Sequence, residues 1–290
     1  MSIRFKIIVS CAVLLFAISV HLFAGSIAIS FNEYWNALFH YDAANTHHVI
    51  ARDLRIPRIL MAIIAGAGLS LAGLLMQTIF YNPLAEPNIL GVSTGSSLFV
   101  AIALMTGFTF FNSDFGLISS ALFGALIFGV LILFFARFVR SHGSLLLIGI
   151  MLGSFSAAFI SIIQTWSDAH QLKLFTLWAM GSLQQVTYAQ LPLIFLLFSS
   201  SIVATFFLVK ALNALVLGQE NAAVLGVNSR NTRMLVILIG SVLTGVITAF
   251  CGPIAFVGMA VPNLVKLIYK TQNHRILIVA TLVTGSIFMV

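Results

Sequence analysis

His47 and His48 stand side by side, with His40, Asp42 and Glu33 a short way upstream. Such a cluster invites a metal-site reading, but no cysteine or paired carboxylate stands nearby at ligand spacing, so metal binding is not expected. The chain also lacks HExxH, GxSxG and the G-x-x-x-x-G-K-[ST] loop that cradles nucleotide phosphates. Its seven acidic residues, Glu33, Asp42, Asp53, Glu86, Asp114, Asp168 and Glu220, all fall in or near polar intervals. Carboxylates and histidines inside the membrane mark proton relays and ion-coupled sites, so coupling to an ion gradient is disfavoured. The lone His21, within an apolar run, reads as a neutral packed residue. What remains is a passive channel, or a pathway driven by other subunits, with a membrane enzyme a distant third.

The elements that must position these residues are membrane segments. Hydrophobic residues make up 60% of the 290 and charged residues 7%, against about 25% charged in soluble domains. This is an all-α, polytopic membrane protein. The formal charge of +7 does not point to nucleic acid, because the basic residues are scattered between apolar runs and form no basic patch. Cys11 and Cys251 lie in or at the edge of apolar segments, which argues against a disulfide framework.

About 20 apolar residues cross a ~30 Å hydrocarbon core. Runs of suitable length are 7–29, 59–81, 93–111, 115–138, 144–166, 190–209 and 234–250. After the break at Cys251, Gly252 and Pro253 a shorter run ends at 267, and a ninth starts at 276. The first run is longer than the 7–15-residue core of a signal peptide, so it reads as an uncleaved helix. Residues 30–58 and 210–233 are the long polar intervals. Residues 167–188 read as a loop and interfacial segment, with Trp178 and Tyr188 at headgroup level.

Counting Lys and Arg in alternate intervals puts Arg4, Lys6, Arg137, Arg140, Lys210, Arg230, Arg233, Lys266, Lys270 and Arg275 on one side. Arg52, Arg55, Arg58 and Lys173 fall on the other. Ten against four places the N-terminus in the cytoplasm by the positive-inside rule. Three of the four exceptions cluster in one interval and need a reason of their own.

From Arg55 to Ser97 the chain reads RIPRILMAIIAGAGLSLAGLLMQTIFYNPLAEPNILGVSTGSS. Ala62, Gly66, Ser70 and Gly73 recur at three- and four-residue spacing, which fits either a helix–helix seam or ordinary membrane-helix composition. Pro83 and Pro87 force the chain out of helix. A similar small-residue helix runs into the break at 251–253, so residues 59–111 and 234–267 carry a weak hint of an inverted repeat.

RIPR, the small-residue helix ending in Gln77 and NPLAEPNILGVSTGSS, followed by ENAAVLGV, GPIAFVGMAVPNLVKL and NHRILI in the same order, resemble the permease subunits of bacterial importers for iron–siderophore, haem and cobalamin. These FecCD-type, type II importers are powered by ATP-binding cassette subunits, and the likeness runs through nearly the whole chain.

The resemblance implies a single permease domain over 1–290, with a fold of ten transmembrane helices of which about nine are present. It implies ABC ATPase subunits docking on the loop within 210–233, through Gln219, Glu220, Ala222, Ala223, Leu225 and Gly226. Asn221 stands where a second alanine could be expected. A periplasmic or lipoprotein substrate-binding protein would meet Arg55 and Arg58, with Arg52 a nearby candidate; the rival role for these arginines is to anchor the helix by snorkelling. Gly149, Gly153, Ser156 and Gln164 would line the path, although periodicity alone equally allows a packing face. A second permease subunit, identical or different, would complete the path, and ATP would be bound by the partner rather than by any cofactor site here.

The expectation is therefore a non-enzymatic transport subunit of a bacterial inner membrane, carrying an iron–siderophore, haem or cobalamin-like chelate. The alternative is a gradient-driven secondary transporter or channel. Residues 276–290 span about 22 Å at 1.5 Å per residue, short of the ~30 Å core, so a remainder of the ninth helix and a tenth are expected beyond Val290.

Overall fold

The computed structural model describes residues 2–23, 27–89, 91–105, 114–139 and 142–290. In chain order the helices are α1 (Ile3–Phe23), α2 (Phe31–Phe39), α3 (Thr46–Val49), a π-helical turn (Ile50–Arg55), α4 (Ile56–Phe80), α5 (Val92–Met105), α6 (Asp114–Phe135) and α7 (His142–Thr165). There follow α8 (Ala169–Ala179), α9 (Leu191–Phe207), α10 (Val209–Val216), α11 (Gln219–Val224), α12 (Ser229–Cys251), α13 (Val257–Tyr269) and α14 (His274–Met289). Among the described residues, six spans are long and apolar enough to cross a bilayer, and α5, α13 and α14 are shorter apolar helices. The chain is a multi-pass, all-helical membrane protein.

The nine apolar runs match α1, α4, α5, α6, α7, α9, α12, α13 and α14, with differences at their ends. Pro57 lies in the first turn of α4, and its missing N–H removes one backbone bond where the π turn passes into the α-helix. The π turn continues that helix upstream, so Arg52 and Arg55 sit on helical backbone rather than in a loop. Asn228 caps α12 by accepting from the Asn231 amide, which starts this helix at Ser229 rather than 234. The expected end of the third run at 111, the loop after it, and Arg140 lie outside the described residues. Trp178, expected among headgroups, is 7% exposed and packs in the protein core.

Almost all of α4 is buried, and its small residues explain how. A Cβ added at Gly66 would overlap the carbonyl oxygen of Gly285 in α14, and one at Gly73 would overlap that of Gly258 in α13. Backbones touch at both places, as small residues permit in membranes. On the same helix, a Cβ at Gly68 would come 2.7 Å from Ile247 of α12. The pairings 66 with 285 and 78 with 274 make α4 antiparallel to α14, whereas 73 with 258 and 83 with 263 make it parallel to α13. Of the two readings left open for the small-residue spacing, a helix–helix seam is the one observed, at Gly66, Ser70 and Gly73. Glycines also bring α5 onto α6, at Gly95 and Gly124.

Both α4–α5 and α12–α13 are a long helix, a break and a short helix. Tyr81 ends α4 in the left-handed region (φ 49°), and Gly252 ends α12 at φ 74°. The first break bonds both to α13 and to the second break. Asn263 Nδ2 donates to the Pro83 carbonyl (2.8 Å), and Asn88 Nδ2 donates to the Ile254 carbonyl (3.0 Å). Irregular backbone inside a membrane protein survives only where such partners exist.

Gly73→Ala is expected to destabilise the purified protein by about 1–3 kcal/mol, the usual penalty for overpacking. Gly153→Ala, whose added methyl group would meet Thr94 only at 3.6 Å, should leave it nearly unchanged. Thermal unfolding in detergent compares the two; equal stability of both variants would refute the close approach.

Candidate functional site

One end of the molecule is built from α2, α3, the π turn and the short helical turns at 183–185 and 188–190. Ser30 opens α2 with a capping box: the Ser30 amide donates to Glu33 Oε2 (2.6 Å), and the Glu33 amide donates to Ser30 Oγ (3.3 Å). That amide bond, the His47 ring beside the carboxylate and the Ser30 hydroxyl together lower the Glu33 pKa from 4.5 to about 2. Glu33 and His47 tie α2 to α3 (Nδ1–Oε1 2.5 Å), and His48 accepts the Asp42 amide on Nδ1 (3.2 Å). The histidine pair therefore serves the local fold.

The three arginines of this end do different things. Arg55 Nη1 donates to the Leu22 carbonyl (2.7 Å) and to the Tyr34 hydroxyl (3.2 Å), and Nη2 donates to the Ile27 carbonyl. These carbonyls lie at and just past the end of α1, where helix acceptors lack internal partners. Arg55 is thus a cap that joins α1 to α4. Arg52 lies over the rings of Tyr41 (4.3 Å) and Tyr188 (5.1 Å), within cation–π range. Arg58 is exposed on the first turn of α4.

The opposite end holds α10, α11 and the first turns of α12 and α14. His274 is 1% exposed and sits between three elements. Asn213 Oδ1 on α10 accepts the His274 backbone amide (2.8 Å) and lies 3.1 Å from Nδ1. Nε2 is 2.8 Å from Thr78 Oγ1 on α4. Tyr81 donates to the Leu215 carbonyl (2.8 Å), so α10 is held to the end of α4 directly here and indirectly through His274 of α14. Beyond it, α11 projects outward with Val224 88% exposed and Leu225 62% exposed; Gln219, Glu220, Ala223 and Gly226 are exposed as well. Ala222 is fully buried instead, because a six-residue helix packed against α10 and α12 turns one position inward. Val224, absent from the residues singled out by motif, is the most exposed of the group.

Between the ends, Glu86 is 7% exposed and lies against Gly258 at the start of α13. Burial raises its pKa and outweighs the opposing pull of Asn88 and of the Met259 and Phe256 amides. Nearby, Lys266 Nζ donates to Gln77 Oε1 (2.8 Å), and Gln77 Nε2 donates to the Met259 carbonyl (3.1 Å). A cleft of about 710 Å³ opens beside α8, lined in part by His170, Gln171, Gln185, Gln190 and Phe250.

Of the four candidate path residues on α7, Gly149 and Ser156 are buried, and Gly153 and Gln164 are half-buried. Gly149 and Gly153 pack against Gly91 and Thr94, which gives that face a packing role within this chain. The open positions lie on the other side: Ser154, Ala158, Ser161 and Thr165 form a small, neutral stripe, flanked by exposed Met151, Phe155 and Phe159.

Residues 12–290 match the model of the FecCD transport family. The chain is 34% identical over 257 residues to the hemin transport system permease protein of Yersinia pestis, covering 84% of this chain and 72% of that one. It is 36% identical over 242 residues to the molybdate import system permease protein of Haemophilus influenzae, with 82% and 70% covered. A solved metal-chelate type ABC transporter in an inward-facing conformation superposes with a TM-score of 0.86 at 28% identity, covering 99% of this chain and 88% of that one.

Replacing Arg55 with Met should destabilise the fold by about 1.5–3 kcal/mol, the range for losing a charge-assisted hydrogen bond, whereas Arg58→Met should not. Thermal unfolding decides between them, and an unchanged midpoint for Arg55→Met would remove the capping role.

Proposed function

Because the chain belongs to the FecCD transport family and is a permease of the ABC importer type, we propose that it forms half of the membrane path for a metal chelate. The cargo class is an iron–siderophore or a haem- or cobalamin-like complex. The observation that carries this reading is the pairing of an exposed apolar tip on α11 with a rigid mount behind it. Leu217, Val224 and Leu225 offer side chains to a partner, and α10 fixes their base to α4 and α14 through Tyr81, Thr78 and His274.

In this reading α11 seats on an ABC ATPase in the cytoplasm, and Gln219, Glu220, Ala223 and Gly226 border the contact. Ala222 supports it from beneath. The N-terminus is cytoplasmic, and the protein sits in a bacterial inner membrane. The end carrying α2 and α3 faces outward, where Arg58 and Arg52 meet acidic groups of a substrate-binding protein; such charges set orientation and association rate more than affinity. Arg55 contributes by holding the end of α1 in place. A second permease subunit covers the exposed face of α7, and its small neutral stripe suits a bulky chelate that must pass without being held. Glu86, enclosed against α13, anchors a half-helix, and ATP-driven movement rather than a proton gradient supplies the energy.

Val224→Asp with Leu225→Asp should abolish copurification of the ATPase and uptake of the chelate while leaving the permease folded. Pull-down and proteoliposome uptake test this, and retained ATPase would show that the docking surface lies elsewhere. Arg58→Glu should slow docking of the binding protein, most at low salt, as read by surface plasmon resonance; an unchanged association rate would contradict the steering role.

A further inference from the structure

We infer that α2 lies in the bilayer interface as a lipid-binding helix, with its aromatic face set among the headgroups and upper acyl chains. At about 100° per residue, its nine positions and the capping His40 sort into three sectors. Phe31, Trp35, Leu38 and Phe39 share one face and are exposed by 68%, 54%, 45% and 63%. Asn32, Glu33, Asn36 and His40 share the next. Tyr34 and Ala37 fill the third and are buried. A helix at the corner between protein, lipid and water needs this three-way division, whereas one in water beside a protein needs only two sectors.

The direction of the apolar face follows from the two side chains that flank the exposed arc. Tyr34, next to Leu38, donates to the Leu22 carbonyl at the end of α1 (2.6 Å), and its ring stacks edge-on against Phe23 (5.8 Å). Glu33, on the polar side, reaches His47 of α3. The apolar sector therefore borders the end of α1, and the polar sector borders α3, which opens on the exposed polar residues Asn45 and Thr46. The outer surface of α1 continues it, since Val9, Val13, Phe16, Val20 and Phe23 are all exposed along a membrane-spanning helix. That continuity identifies the occupant as lipid. Trp35 and Phe39 stack on one another (4.5 Å), and aromatic rings are favoured at the headgroup level. An interfacial helix buries its apolar face about 5–10 Å into this boundary.

The placement holds whichever side of the membrane this end faces, so it stands apart from the transport reading. It gives α2 the task of fixing the height of Arg52 and the π turn above the bilayer, because Arg55 and Tyr34 join α2, α1 and α4 at one point.

The test uses full-length protein in nanodiscs, with Trp166→Phe and Trp178→Phe leaving Trp35 as the single tryptophan. Phosphatidylcholine brominated at shallow acyl positions should quench most of the Trp35 emission, deep bromines less, and aqueous iodide little. Strong iodide quenching without bromolipid quenching would overturn the proposal in favour of a water-facing helix. Protection from all three quenchers would overturn it in favour of a protein partner. Should the double replacement fold poorly, a nitroxide on Leu38→Cys in a Cys11→Ser background asks the same question: collisions with oxygen should exceed those with a water-soluble nickel chelate, and the reverse order would refute lipid contact.

Discussion

The backbone of α4 touches the backbones of α13 and α14, and much of the molecule depends on that contact. Without a hydrophobic drive between helices in lipid, association rests on close packing and a few hydrogen bonds. Gly66 against Gly285 and Gly73 against Gly258 provide the packing. Gln77 to Met259, Lys266 to Gln77, and Ser286 to the Ile63 carbonyl provide the bonds. With the two short helices fixed on α4, the break that begins at Asn82 has a surface to lie against. Its own polar groups then hold the start of α13.

The same helix joins the two ends of the molecule. At its first turns, the π turn and Arg55 gather α1 and α2. At its last, Thr78 and Tyr81 grip α14 and α10. A displacement of α10 would therefore reach α4 through the Tyr81–Leu215 bond and through the Asn213–His274–Thr78 relay, and α4 in turn abuts the helices that bear the second break.

Much of this was legible in the chain. Helix periodicity places Gly66, Ser70 and Gly73 on one face, which allowed a seam without requiring one, and Pro83, Pro87 and Gly252 read as breaks because their backbone preferences are local. What periodicity leaves open is which neighbour a face meets. Gly149 and Gly153 have the spacing of a lining, yet α5 covers them. Ala222 has the size for a groove, yet faces inward, and the exposed Val224 beside it drew no notice. Arg55 carries the charge of a docking residue, but its reach to Leu22 depends on where α1 ends in space. Glu86 sits in a polar stretch of sequence and is buried only because that stretch folds back into the protein. Short amphipathic helices such as α2 hide within polar intervals for a related reason: nine residues hold too few turns to display a period.

The most direct measurement is chelate uptake by proteoliposomes containing this chain, its ATPase and its binding protein, compared under ATP and under imposed proton and sodium gradients. Uptake should require luminal ATP with all three components and show no response to either gradient. Gradient-driven uptake by the permease without the ATPase would contradict a conduit moved from α11.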